Sequence, residues 1–112
     1  TLYRGGWACA VTGCRVGAML RASHCKPWRI SDNRERLDSN NGLVLTANLD
    51  ALFDAGLISF DDDGSMLVAD ALSAQERSQL GLPAGLLRVP NPRLCAYLGF
   101  HRDSVFIGRA AQ

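Results

Sequence analysis

The sequence predicts an α+β fold, in which short strands and short helices occupy different parts of one small domain. Short apolar segments end at glycine or at an asparagine–glycine pair, which is typical of strands bounded by turns. Other segments carry helix caps or apolar residues at helical spacing. The predicted order is strand, loop, strand and helix, followed by a hairpin and two further helices.

Two extended segments are predicted before the first loop. Residues 7–12, WACAVT, are apolar and partly β-branched, and the glycine after them suits a buried strand that leads into a turn. Residues 18–24 form a second extended segment, which ends at His24. Because Pro27 disfavours helix at the residue before it, we expect His24 at a strand end that faces a loop.

The next segment is predicted as a polar loop followed by a short strand. Residues 29–40, RISDNRERLDSN, are almost wholly polar and are expected to form a surface loop. Residues 41–42, Asn-Gly, are a turn signal. Residues 43–45 are apolar and are the candidate for the second strand of a pair.

A helix is predicted after this strand. It begins at a cap formed by Thr46 or Asn48, runs through Asp54 and ends at the glycine two residues later. Its apolar stripe consists of Leu49, Leu52 and Phe53. Asp50 lies one helical turn before Asp54 on another face, so the two carboxylates form a candidate cation site.

The second half of the chain is predicted as a β-hairpin and two helices. Residues 57–68 form the hairpin around an aspartate–glycine turn, whose aspartates lack the EF-hand spacing and are expected to be solvated. Ser73 and Glu76 form a capping box for a short helix that ends at a glycine. The last helix is predicted at residues 93–106. We expect its buried face to contain Leu94, Tyr97, Leu98 and Phe100, with His101 in a packing or hydrogen-bonding role.

Length and composition predict one domain spanning residues 1–112. The chain has 112 residues and is 47% apolar, which suffices for one core. It starts at Thr1 and enters structure almost at once, so we expect a fragment of a longer polypeptide. No apolar run approaches about 20 residues and no export signal is recognisable, so we expect a cytoplasmic protein that is not bound to membranes.

Charge is unevenly distributed, although the formal net charge is only +1. Residues 1–46 carry seven basic and three acidic residues (+4), and residues 47–81 carry one and seven (−6). Residues 82–112 carry four and one (+3). A basic front half beside an acidic centre fits phosphate contacts around a cation site, and ordinary surface charge fits it equally well.

The four cysteines predict free thiols. They are Cys9, Cys14, Cys25 and Cys95. A structural zinc site needs paired ligands at short spacing, and only the first two cysteines come near such a pair. We expect free, mostly buried thiols without disulfides, and structural zinc is the less favoured alternative.

Three segments together resemble the HNH endonuclease family. They are ASHCKPW at 22–28, NNGLVLTANLDALFDAGLISF at 40–60 and AYLGFHRDSVF at 96–106. The resemblance is to the branch found as the cleavage domain of restriction-type enzymes, where a histidine and a proline three residues on precede N-G-L-x-L and L-F-D-x-G. It covers about residues 7–106, nearly the whole chain.

The resemblance implies a ββα-metal core with an added β-hairpin and C-terminal helices. Residue by residue, it makes His24 the general base, and it makes Asn41 the residue that orients this histidine and ties the loop. Asp50 would hold one divalent cation where members of the family often have His or Asn. Many members place an acidic ligand directly before the base, where this chain has Ser23. Asp54, water or DNA phosphates would then complete the coordination shell.

The chemistry of phosphodiester hydrolysis supports these roles independently. The substrate is anionic and repels hydroxide, so hydrolysis needs a positioned base of near-neutral pKa and a cation on the phosphate. Carboxylate oxygen favours Mg²⁺ or Mn²⁺ over zinc. DNA is the expected partner, and the products implied by the family are 5′-phosphate and 3′-hydroxyl ends. Candidate phosphate contacts are Lys26, Arg29, Arg34 and Arg36, for which solvated loop charge is the alternative.

The sequence favours a metal-dependent DNA endonuclease that acts as the cleavage module of a restriction-like enzyme. Such a module would work with a fused DNA-recognition domain, and as a homodimer if it makes double-strand breaks. One alternative is a catalytically silent HNH-like module that binds nucleic acid or another protein. Another alternative is a nuclease toxin domain that uses the same site.

Overall fold

The computed structural model describes residues 7–108, and this part of the chain has an α+β fold, as predicted. Two separate two-stranded antiparallel sheets are combined with four α-helices. Two short 3₁₀ turns, Gly17–Met19 and Trp28–Ile30, flank the first strand and its loop. The elements are β1 (Leu20–Ser23), α1 (Asn33–Leu37), β2 (Leu43–Thr46), α2 (Ala47–Asp54), β3 (Ile58–Phe60), β4 (Met66–Val68), α3 (Ala74–Leu80) and α4 (Pro92–Ser104).

The first sheet places the end of β1 against α2. In the antiparallel register Leu20 pairs with Thr46 and Ser23 pairs with Leu43. All four residues of β2 are buried, whereas β1 buries only its first and last residues. Since α2 follows β2 directly and contacts both strands, the buried Ser23 side chain faces the helix.

The core lies between α2, the two sheets and α4. Leu49 and Phe53 of α2 are fully buried and Leu52 packs against them, which confirms the predicted apolar stripe. The second sheet pairs β3 with β4 through Ile58 opposite Val68, and β3 is buried beneath α4. The predicted hairpin is therefore confirmed.

Most helix ends follow their sequence signals, although Thr46 occupies the N-cap position of α2 without a side-chain cap bond. Gly56 has a φ of +77°, and a Cβ at this position would come within 2.2 Å of the Val105 carbonyl oxygen. Only glycine fits this turn after α2. Ser73 and Glu76 form the predicted capping box of α3, and the side chain of Asn91 caps α4 by accepting from the Leu94 N–H.

The strand predicted at residues 7–12 is wrong. The chain reverses direction there, because the Cys9 N–H donates to the Cys14 carbonyl and the Gly13 N–H donates to the Cys9 carbonyl. A single backbone bond, from Ala10 N–H to the Val44 carbonyl, joins this turn to β2. Cys9 and Val11 are buried as expected of a strand, whereas Trp7 and Ala10 are only partly buried. The backbone bonds of Cys9 and Gly13 are made inside the turn instead of with a neighbouring strand.

The prediction of a surface loop at residues 29–40 is also wrong in part. The segment contains α1, whose N-terminus carries a capping box formed by Asp32 and Glu35. The D-x-x-E pattern is visible in the sequence, but the helix is only five residues long and buries none of them. Without an apolar stripe, the helical spacing of the segment was not recognisable.

The C-terminal helix lies where it was predicted but ends two residues earlier, at Ser104, and only one of its four apolar residues expected to be buried is buried. Leu98 and His101 are buried, whereas Leu94 and Tyr97 are partly buried against the core and Phe100 is half-buried. All four cysteines are free, and Cys9 and Cys25 are buried. Within residues 7–108, no helix has the length and apolar character needed to span a bilayer. The single-domain boundary and the membership in a longer polypeptide stay predictions.

Candidate active site

His24 directly follows β1, at the strand end where the sequence predicted it. The imidazole is partly buried, and its ring centroid lies 5.5 Å from that of Trp28 in an edge-on arrangement of 73°. Within residues 7–108 neither ring nitrogen makes a hydrogen bond. A base that is to accept a proton from water needs such a nitrogen.

A cavity of about 230 Å³ opens beside His24. Its lining includes Ser23 from the end of β1, Arg36 and Leu37 from α1, and Asn41 and Gly42 from the turn before β2. A larger cavity of about 510 Å³ lies elsewhere, between residues 8–15 and the connector before α4. That cavity contains none of the predicted site residues, so the smaller one is the candidate active site.

Asn41 fixes the loop that follows His24. Its side chain is 1% exposed, its Oδ1 accepts from the Lys26 backbone N–H at 2.8 Å, and its Nδ2 donates to the Glu35 carbonyl at 3.2 Å. These bonds hold the loop against the C-terminal end of α1. Asn41 makes no hydrogen bond to the imidazole, so an orienting effect on His24 would act through the backbone.

Asp50 lies in the first turn of α2 and contacts the residue before His24. The Ser23 hydroxyl donates to Asp50 Oδ1 at 2.6 Å, and the Ser23 side chain is buried. Asp50 Oδ2 makes no hydrogen bond within residues 7–108. Ser23 lines the cavity whereas Asp50 does not, so the serine links the carboxylate to the cavity.

Asp54 lies at the other end of α2, exposed to solvent. Its charge acts on the buried His101: burial lowers the pKa of His101, and the Asp54 carboxylate opposes this by raising it. No contact brings Asp54 to Ser23 in the described part of the chain. The use of Asp50 and Asp54 as a carboxylate pair stays a prediction.

The oxygen atoms of Asp50 and Ser23 fit a hard cation. In residues 7–108 no three His, Cys, Asp or Glu side chains converge in a way that could hold a metal ion. Mg²⁺, however, is held in many proteins by one or two carboxylates and keeps several of its waters. The carboxylate of Asp50, with one oxygen unengaged and a serine hydroxyl beside the other, suits such weak binding.

The four predicted phosphate-binding side chains have different surroundings. Lys26 is paired with Glu35 at 2.7 Å, which lowers the pKa of that carboxyl, and its ammonium lies 5.3 Å from the Phe100 ring centroid. Arg36 Nε donates to the Trp28 carbonyl at 2.8 Å. The side chains of Arg29 and Arg34 are exposed, and within residues 7–108 they make no ion pair or hydrogen bond. Their roles on DNA stay predictions.

Sequence reasoning missed the contribution of Asp38. Its side chain is only 8% exposed and accepts from Arg93 at 2.7 Å, from the Tyr97 hydroxyl at 3.1 Å and from the Asn40 backbone N–H at 2.9 Å. These bonds dock the end of α1, and with it one wall of the cavity, on α4. The two α4 partners lie 55 and 59 residues away, so no local spacing could reveal them.

Comparison with known proteins identifies the segment that carries this site. Residues 9–61 match a family model described as HNH endonuclease, which confirms the resemblance for this segment, whereas its extension to residue 106 stays a prediction. The matched segment contains β1, β2, α2 and all of the residues that line the 230 Å³ cavity. No curated protein matches the chain.

Proposed function

Because residues 9–61 match a family model described as HNH endonuclease, we propose that the protein is a metal-dependent endonuclease domain that hydrolyses phosphodiester bonds in DNA. In this proposal β1, β2 and α2 form the ββα-metal core. The observation that carries it is the cavity at the end of β1. There, His24 makes no hydrogen bond within residues 7–108 and adjoins the Ser23–Asp50 pair.

His24 acts as the general base. A neutral ring nitrogen accepts a proton from a water molecule while the water oxygen forms a bond to phosphorus and the bond to the 3′ oxygen breaks. The 3′ oxygen leaves as a hydroxyl after taking up a proton, and the phosphate stays on the 5′ end. Asn41 supports this step as a positioning residue, because its buried amide holds the loop that begins at His24.

Asp50 holds one divalent cation, Mg²⁺ or Mn²⁺, together with the hydroxyl of Ser23. When bound, the cation supplies positive charge that neutralises the phosphate and the departing oxygen. One free oxygen on Asp50 and the adjacent hydroxyl support this assignment. Asp54 contributes at most through water, since it lies at the far end of α2.

DNA binds across the loop between β1 and β2. The exposed Arg29 and Arg34 contact phosphates, and Arg36 contributes from the wall of the cavity. Lys26 contributes less, because Glu35 already neutralises its charge. The order of H-x-x-P, N-G-L-x-L and L-F-D-x-G supports a cleavage module of a restriction-like enzyme, which acts on cytoplasmic DNA. A fused domain then reads the DNA sequence, and a homodimer makes the double-strand break.

Plasmid nicking tests this proposal. Purified protein is expected to nick supercoiled plasmid in Mg²⁺ or Mn²⁺ and to be inactive in EDTA. His24→Ala should lower the rate at least about 100-fold, since a general base contributes about 10² to 10⁴. Asp50→Asn should raise the metal concentration required, whereas Asp103→Asn, which changes an exposed aspartate of α4, should have no effect. Nicking that survives in His24→Ala would rule out the assigned base.

One alternative has an observation in its favour. Ser23 stands where many family members have an acidic ligand, and no three-ligand group converges in residues 7–108. Both facts favour a silent HNH-like module that binds nucleic acid without cutting it. This alternative predicts DNA binding that weakens steeply with salt, and no cleavage in any divalent metal.

A further inference from the structure

An exposed tryptophan lies beside the candidate active site. Trp28 is 54% exposed and belongs to no part of the hydrophobic core, although tryptophan is among the most buried residues on average. Its ring centroid lies 5.5 Å from that of His24, which lines the cavity. The sequence motif contains this residue, but general-base and metal chemistry assign it no role.

Arg36 and His24 both contact the indole ring. Arg36 Nε donates to the Trp28 carbonyl at 2.8 Å, and the Arg36 guanidinium lies 5.0 Å from the centroid of the Trp28 ring, within cation–π distance. The His24 ring meets the indole edge-on. A ring that is fixed in advance loses little conformational entropy when a ligand stacks on it.

The charges around Trp28 indicate what kind of ligand this is. Arg29 follows it directly, Arg34 is exposed on α1, and the Arg36 guanidinium touches the ring. Exposed arginines that alternate with an aromatic ring are typical of surfaces that bind single-stranded nucleic acid. In such surfaces the ring stacks on a base and the cations follow the backbone.

We propose that Trp28 stacks on an unpaired base of the DNA strand whose phosphate occupies the His24 cavity. The preferred substrate is then single-stranded DNA, or a duplex with unpaired nucleotides at the cut site. In an intact duplex each base is stacked on its neighbours, so the indole finds no free base face unless the duplex is distorted. This inference rests on the proposed endonuclease function and adds the substrate class.

Cleavage of three labelled substrates of one sequence tests the inference. They are the single strand, the perfect duplex and the duplex with a short gap. The wild-type protein should cut the single strand and the gapped duplex faster than the perfect duplex. Trp28→Ala should lower kcat/KM on the single strand by about 5- to 150-fold, the range that base–aromatic stacking supports, with a much smaller effect on the duplex. Trp28→Phe should retain most of the activity.

Two controls separate stacking from a general loss of apolar surface. Val16→Ala shortens a side chain that is 59% exposed and does not line the cavity, so cleavage of every substrate should stay unchanged. In the second control, an abasic nucleotide replaces the base beside the cut. It should slow the wild-type protein as much as Trp28→Ala does, and it should not slow that variant further. If Trp28→Ala fails to fold, the abasic substrate still tests base stacking, because that comparison needs only the wild-type protein.

Binding in EDTA distinguishes failure of the inference from failure of the endonuclease proposal. Fluorescence anisotropy should show tighter binding of the single strand than of the duplex, and Trp28→Ala should remove this difference. If no substrate is cut in a His24-dependent way, the endonuclease proposal fails while the binding measurement still decides stacking. Equal effects of Trp28→Ala on single strand and duplex, or a wild-type preference for intact duplex, would overturn the inference.

Discussion

The Ser23 hydroxyl donates a 2.6 Å hydrogen bond to Asp50 Oδ1 and so joins the end of β1 to the first turn of α2, 27 residues later. The bond gives one carboxylate oxygen a neutral donor. An acidic residue at position 23 would instead place a second negative charge against Asp50. The metal affinity of the site should therefore depend on this one position.

Ser23→Asp should make stability depend on the cation. Without metal, two adjacent carboxylates repel each other by about 1–4 kcal/mol, depending on the effective dielectric constant, so the melting temperature should fall in EDTA. Mg²⁺ should restore it, because the cation gains a second charged ligand. Ser78→Asp, on the exposed face of α3, is the control, and its melting temperature should not change when Mg²⁺ is added. An equal Mg²⁺ effect in both variants would show that no cation binds beside Asp50.

Asn41→Ala should destabilise the protein and lower its activity further than the lost stability explains. The substitution leaves the Lys26 N–H without its buried partner, at a cost of about 1–3 kcal/mol. It also removes one of the two donors to the Glu35 carbonyl, which keeps its bond from the Asp38 N–H. The loop after His24 then loses its fixed position, so kcat for nicking should fall even where urea titration shows a fully folded protein. Asn33→Ala, at an exposed position of α1, should change neither quantity. A normal kcat in folded Asn41→Ala protein would show that Asn41 does not position the loop after His24 for catalysis.

Local signals predicted most of the elements, because each one depends on a few adjacent residues. The Ser73 and Glu76 capping box, the glycine after α2 and the apolar spacing of Leu49 and Phe53 all lie within one or two turns of chain. Local signals did not predict the turn at residues 9–14. Its residues are as apolar as those of a strand, and only the backbone bonds show that the chain reverses.

The sequence predicted which residues belong to the candidate site, but it did not predict the contacts that hold them together. The resemblance named His24, Asn41 and Asp50, and the matched segment contains them. The bonds that hold the site together cross long stretches of chain, such as Ser23 to Asp50 and Asp38 to α4. Spacing carries no information about such pairs, since their proximity results from the packing of α2 and α4.

His101 should make the stability of the protein depend on pH. Its Nε2 lies 2.7 Å from the Phe53 carbonyl, which only accepts, so Nε2 carries the proton. Nδ1, 2.7 Å from the Ser59 hydroxyl, therefore accepts from it. Burial lowers the pKa of His101, so the folded state binds this proton less readily than the unfolded chain, where the pKa is about 6.5. The stabilisation that neutral His101 gives the folded state is therefore fully present above a pH of about 6.5, and it is lost as the pH falls below this value.

Urea unfolding at pH 8 and pH 5 measures this effect. The wild-type protein should lose stability at pH 5, and His101→Gln should lose much less, because glutamine offers a donor and an acceptor without titrating. His24→Gln is the matched control and should keep the wild-type pH dependence, since His101 is retained. The Asp54 carboxylate raises the pKa of His101, so Asp54→Asn should steepen the loss of stability. The same pH dependence in wild-type and His101→Gln protein would contradict the assignment.

Asp38→Ala should loosen the wall of the candidate active-site cavity. The backbone N–H of Asn40 and the Tyr97 hydroxyl hold the pKa of Asp38 below its usual value, so the carboxylate is charged at neutral pH and pairs with Arg93. Its removal leaves the end of α1 without its bonds to α4. We expect a loss of about 1–3 kcal/mol in unfolding free energy.

Hydrogen exchange shows where this loosening occurs. Amides of residues 33–42 should exchange faster in Asp38→Ala, whereas those of β3 and β4 should keep their protection, because neither strand contacts this carboxylate. Asp103→Ala, at an exposed position of α4, should leave both regions unchanged. Since Leu37, Asp38 and Ser39 line the cavity beside His24, nicking should slow in step with the faster exchange. Uniformly faster exchange over the whole chain would instead show that Asp38 supports the global fold rather than this wall.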